Sequence, residues 1–182
     1  MTTLMSHPVP RVPHAWRLAP ATSRVTHLRV VGDHGGRFLQ VIDLENMVGG
    51  YATPQNVRRF VKWYAAAGLT RPGDMCIAAV SRRFATSLFE VPEGWLRRVA
   101  GNEKDAADRM LLDDSPTEWV ASRFDGLVIA SGDGAFADLA TGCREAGLRV
   151  TTVRGKGAMS TALHLAGQEH VSVPARVLAR MA

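Results

Sequence analysis

Two apolar runs that each end in an aspartate constrain this chain more than anything else in it. Phe38-Leu39-Gln40-Val41-Ile42 leads into Asp43, and Leu127-Val128-Ile129-Ala130 leads through Ser131-Gly132 into Asp133. A short apolar run bounded by turn residues reads as a buried strand. Gly35-Gly36 and Gly49-Gly50 bracket the first of them. Ligands of open α/β sheets gather beyond the carboxyl ends of the strands. Both aspartates are therefore expected at one edge of one sheet.

The rest of the chain fits around these two strands. Further strands are expected over 74–80, 95–100, 148–153 and 170–173. After Asn46 the reading is a glycine-bearing loop. Thr53-Pro54 supplies an N-cap and a first-turn proline for a helix, with Val57, Phe60, Val61 and Tyr64 at helical spacing and Gly68 as its stop. More helices are expected over 84–90, 102–114, from Ser115-Pro116 onward, over 135–146, over 160–166, and after Pro174. Strands that alternate with helices predict an α/β fold, with a central, mainly parallel, Rossmann-like sheet flanked by helices. The expected organisation is one domain over 25–182 behind a basic, proline-containing leader over 1–24, with 25–31 read as an additional strand.

At 182 residues and 46% hydrophobic content, the chain can bury a substantial core. No apolar run reaches the roughly 18 residues of a membrane helix, and the start shows no signal-peptide core. No membrane association and a cytoplasmic location are the expectation. Cys76 and Cys143, far apart in apolar segments, read as reduced core thiols. The net charge is +5, and residues 1–32 hold four arginines and no acid. The leader reads as a flexible segment, or as a basic arm that follows a nucleic-acid backbone or docks on a partner.

Asp43, Asp108 and Asp133 come from three separate segments that this architecture can bring to the same edge. Carboxylates packed together repel and call for a cation. Oxygen donors with no histidine or cysteine cluster point to Mg²⁺ or Mn²⁺ rather than zinc. Such an ion polarises a phosphoryl oxygen and acidifies water, which suits in-line hydrolysis of a phosphodiester. Each acid also has a plainer use. A strand-end aspartate caps the next helix, and Asp105 and Asp108 complement a helix dipole. Asn46 either orients water or phosphate or forms a turn. Ser131-Gly132-Asp133-Gly134 can form a phosphate-binding nest. An aspartyl-nucleophile phosphatase wants Asp-x-Asp, but Glu45 stands two residues after Asp43. No G-x-G-x-x-G follows the first strand, which argues against a dinucleotide site.

Three segments in this order resemble the NYN domain family of the PIN-like nuclease superfamily. They are Val41-Ile42-Asp43-Leu44-Glu45-Asn46, Lys104-Asp105-Ala106-Ala107-Asp108, and Ser131-Gly132-Asp133-Gly134-Ala135-Phe136-Ala137-Asp138-Leu139. The likeness spans about residues 38–173. It implies a PIN-like domain and an Mg²⁺- or Mn²⁺-dependent ribonuclease, with RNA as partner. Carried over, Asp43, Asp108 and Asp133 would hold the metal and Asn46 would support them; Asp108 is preferred to Asp105 on spacing. Many relatives carry an aspartate where this chain has Ala135, and Asp138 is the substitute one turn on. That departure keeps open an alternative, an NYN-type RNA-binding or protein-interaction module without catalysis. A protein regulator or a homo-oligomer is a further possible partner. Arg82, Arg83, Arg154 and Lys156 follow strands on loops expected at the acidic edge, where they would hold the phosphate chain.

Overall fold

The computed structural model describes residues 35–181. The leader over 1–24 and the strand read over 25–31 lie outside the described residues. Among the described residues, six strands form one sheet: β1 (Phe38–Asp43), β2 (Met75–Ser81), β3 (Leu96–Ala100), β4 (Gly126–Ala130), β5 (Arg149–Arg154) and β6 (Glu169–Ser172). Their spatial order is β3-β2-β1-β4-β5-β6, and every neighbouring pair is parallel. This is a doubly wound α/β sheet, parallel throughout where mainly parallel was expected.

The strand residues divide by parity, as a pleated strand covered on both faces requires. Phe38, Ile42, Cys76, Ala78, Val80, Val128 and Ala130 face one core. Leu39, Val41, Ile77, Ala79, Leu127 and Ile129 face the other. The first core is closed by α2 (Pro54–Ala66), capped by the Thr53 side chain and packed through Val57, Phe60, Val61 and Tyr64. The second is closed by α3 (Ala106–Asp113), α4 (Thr117–Ala121), α5 (Ala137–Glu145) and α6 (Thr161–Ala166). A short α7 (Ala175–Leu178) and a closing 3₁₀ turn follow. Cys76 and Cys143 are free, buried and in opposite cores.

One polar group interrupts β1. Gln40 is fully buried, and its amide nitrogen donates to Leu69 O at 2.6 Å and to Asp74 Oδ2 at 2.7 Å. Tyr64 donates its hydroxyl to Gln40 Oε1 at 2.5 Å. Asp74 Oδ1 also takes the Phe38 N–H at 2.9 Å. The start of β1 is thereby tied to α2 and to the turn before β2, and the buried polar atoms are matched.

Three elements differ from the sequence reading. The loop read after Asn46 begins only at Gly49, because Leu44–Val48 form a five-residue helix, α1. Residues 82–90 form a 3₁₀ helix. The helix expected from Asn102 starts only at Ala106, because Asp105 takes a left-handed backbone with φ 57° and breaks it. No helix among the described residues is long and apolar enough to cross a membrane.

Candidate functional site

The strand order reverses direction between β1 and β4, the topological switch at which such sheets form a crevice. A cleft of about 800 Å³ opens there, lined by Asp43, Glu45, Asn46, Asp105, Asp108 and Asp133, with Arg83, Lys104 and Lys156 beside them.

Asp43 closes β1 and caps α1. Its Oδ1 accepts the Asn46 N–H at 3.1 Å, and its Oδ2 accepts the Ser131 hydroxyl at 3.2 Å. Asn46 in turn accepts the Gly132 N–H on its side-chain oxygen at 2.9 Å. A methyl group on Gly132 would overlap the carbonyl oxygen of Ala158, so only glycine fits this approach. Asp133 donates its N–H to Ser131 Oγ at 3.1 Å and accepts the Ala135 N–H on Oδ1 at 2.9 Å. Both strand-end acids therefore do cap the turns that follow them. Each does so with one oxygen.

Asp108 has no capping partner. It lies in the first turn of α3, 8% exposed, and its carboxyl meets that of Asp43. Among the described residues, no lysine or arginine forms an ion pair with Asp43, Asp108 or Asp133. The electrostatic consequence is large. Burial, and then the nearby Asp108 charge, pushes the Asp43 carboxyl up to about 8. Burial, and then the Asp133 charge, raises Asp108 as well. Protonation or a bound cation relieves such a cluster.

The donor chemistry fits a hard divalent cation, because the groups are carboxylates at an open, water-accessible cleft. Ser81 adds a buried hydroxyl on the same wall that has no hydrogen-bond partner. The side chains do not already form a closed coordination set: among the described residues, no three His, Cys, Asp or Glu are grouped so as to hold a metal ion.

The structure thus brings Asp43, Asp108, Asp133 and Asn46 to one cleft. Asp105 stands on its wall, with its carboxylate 3.8 Å from Lys104 Nζ. Asp138 does not join them. It is exposed in the first turn of α5, whose inner face is taken by Leu139, Ala140 and Cys143. Of the four predicted cations, Arg83 and Lys156 line the cleft, whereas Arg82 and Arg154 are exposed outside it. Gly155 packs its backbone on Met47 and carries the chain over the end of α1, so the residue after it, Lys156, reaches the cleft instead of Arg154.

Glu45 is the cleft residue that sequence reasoning passed over. Its Oε1 accepts the Ser81 N–H at 2.7 Å, and its Oε2 pairs with Arg83 Nη2 at 2.9 Å. Arg83 also lies over the Phe84 ring, 4.7 Å from its centre, and is thereby held on two sides. Lys104, likewise unpredicted, is exposed at the rim.

No protein-family model matches the chain, nor does any curated protein. Among solved structures, the chain is similar to VPA0982 of Vibrio parahaemolyticus, a protein of unknown function. The TM-score is 0.57 at 20% identity, covering 79% of this chain and 96% of that one. The likeness concerns the fold.

Proposed function

We propose that this protein is a metal-dependent ribonuclease that hydrolyses RNA phosphodiester bonds in the cleft between β1 and β4. One observation carries the proposal: Asp43, Asp108 and Asp133 converge from three segments, two of them buried, and no described lysine or arginine forms an ion pair with any of the three. The resemblance of their sequence motifs to NYN nucleases supports RNA as the substrate. An Mg²⁺ or Mn²⁺ ion held by Asp43, Asp108 and Asp133 would offset their charge and supply Lewis-acid polarisation of the phosphoryl group.

The chain's own residues then have distinct tasks. Arg83 and Lys156 hold phosphates on either side of the reacting one, as positive side chains do along a backbone. Glu45 fixes the direction of Arg83. Ser131 and the Asn46 N–H hold the two oxygens of Asp43 in place. Asn46 also fixes the Gly132–Asp133 loop, and with it the third carboxylate. No side-chain nucleophile is needed, because water attacks phosphorus and the P–O bond opposite it breaks.

The test is cleavage of labelled RNA with Mn²⁺, with and without EDTA, for the wild type and Asp43→Asn. Cleavage that requires Mn²⁺ and disappears in the variant is expected. Cleavage that survives EDTA, or full activity of the variant, would remove the mechanism. A second reading is an RNA-binding module on the same cleft without catalysis. It is favoured by Ala135, which is exposed beside Asp133 where an acid would enlarge the cluster. Binding of RNA without cleavage under either metal would select it.

A further inference from the structure

Tyr51 is a large aromatic left in solvent. It is 73% exposed, and its ring and hydroxyl make no hydrogen bond, ring contact or cation contact with any described residue. Its ring face is therefore available to a planar ligand. The rest of the segment is built firmly. The Tyr51 carbonyl accepts the Thr53 N–H at 2.8 Å and the side-chain amide of buried Asn56 at 3.0 Å. Gly50 donates its N–H to Glu45 O at 2.7 Å. The ring therefore stands on a fixed base.

Its position relates it to the cleft. Gly49 and Gly50, the residues just before it, line the cleft wall. Lys156 lays its side chain against Gly49, where any side chain would displace it. A phosphate-holding cation and an exposed aromatic thus flank the same glycine turn. Single-stranded nucleic acid presents that pair of chemistries, alternating phosphates with bases that have a free face. A base in a duplex is already stacked and paired, so it cannot cover a surface tyrosine without being extruded.

Resting on the ribonuclease reading of the cleft, we propose that Tyr51 is a base-stacking platform that makes the site select unpaired RNA. A nucleotide whose phosphate contacts Lys156 lays its base on the Tyr51 ring. The contact adds affinity without reading sequence, because every base offers a π face.

The test is fluorescence anisotropy with a short labelled oligouridylate, an abasic oligomer of equal length and an RNA duplex. All are measured with Ca²⁺ in place of Mg²⁺, on the wild type, Tyr51→Ala and Tyr51→Trp. Thermal melts of each protein show whether the fold is kept, and the carbonyl that anchors the turn is unchanged in every variant. Tyr51→Ala is expected to weaken oligouridylate binding by roughly ten- to a hundredfold, and Tyr51→Trp to retain it. Neither substitution should change the weaker binding of the abasic oligomer. Equal oligouridylate affinity for wild type and Tyr51→Ala would overturn the stacking role and leave the cleft proposal standing. An equal loss on the abasic oligomer and the duplex would also overturn it, since the ring would then be acting through the fold. Failure of the wild type to bind any of the three RNAs would overturn both proposals together.

Discussion

At the scale of single residues, the Asp43–Asp108 contact makes stability depend on pH in an unusual direction. An aspartate in an unfolded chain titrates near 3.9, whereas in the fold Asp43 is raised to about 8, by burial first and Asp108 second. Between those values the folded protein holds a proton that the unfolded chain has released. Stability is then fullest below the unfolded value and is lost as pH rises through the folded one. The metal-free protein should melt at a lower temperature at pH 8.5 than at pH 5, and Asp43→Asn should flatten that slope. Mn²⁺ should raise the melting temperature more at pH 8.5 than at pH 5, because only the ionised cluster binds it strongly. Thermal melts across pH with EDTA or Mn²⁺ check all three; a wild type that gains stability over this range would contradict the burial argument. Glu45 gives a second prediction at this scale. Its partner Arg83 is 63% exposed on the side chain, so the ion pair adds under about 1 kcal/mol to stability. Its effect is on aim. Glu45→Gln should leave the melting temperature within experimental scatter and raise KM for RNA by about two- to fivefold, with kcat unchanged. A fall in kcat alone would mean that Glu45 acts on the chemistry instead.

At the scale of elements, α1 decides how the site is assembled, and it is where the local pattern was too short to read. Phe38–Asn46 looks like one apolar strand because Leu44, Met47 and Val48 are apolar too. They recur at i, i+3 and i+4, but five residues hold barely more than one helical turn. The signals were Asp43 as a cap and Gly49 as a left-handed stop, with φ 81°. Reading them would have turned Glu45 toward Ser81 and Arg83 and identified it as part of the cleft. The longer elements were legible because period-2 and period-3.6 patterns persisted over enough residues, as in β1, β4 and α2. Tertiary polar contacts were not legible at all, and Gln40 is the clearest case. Its identity inside an otherwise apolar strand is explained only by Tyr64, Leu69 and Asp74, none of them near it in sequence. Tyr64→Phe removes the donor to Gln40 Oε1 and leaves a buried acceptor unpaired. It should cost about 1–3 kcal/mol, seen in urea as a lower midpoint with an unchanged m-value. A neutral result would mean that Gln40 re-pairs within the core.

At the scale of the whole molecule, two strands leading into aspartates were enough to place Asp43 and Asp133, because a parallel sheet puts all its strand ends on one edge, whereas Asp108 comes from the first turn of α3. The cations were harder, since loops after strands do not all turn the same way. Arg154 and Lys156 are two residues apart, yet only Lys156 reaches the cleft, and the reason is the backbone contact of Gly155 with Met47 on a different element. Among the described residues, the cleft therefore presents three cations, Arg83, Lys104 and Lys156, around its acids. Each phosphate neutralised by such a group releases counterions, so the logarithm of RNA affinity should fall with the logarithm of salt concentration. Three phosphates on a single strand give a slope of about −2. Lys156→Ala should weaken binding at every salt concentration and reduce the steepness of that slope by about 0.7. Arg154→Ala, outside the cleft on a neighbouring residue, is the control and should leave the slope unchanged. Anisotropy titrations of one unstructured RNA against KCl measure all three proteins. If Arg154→Ala flattens the slope as much as Lys156→Ala, the backbone of the RNA runs along the outer loop and not through the acidic cleft, and the carboxylates would lie off its path.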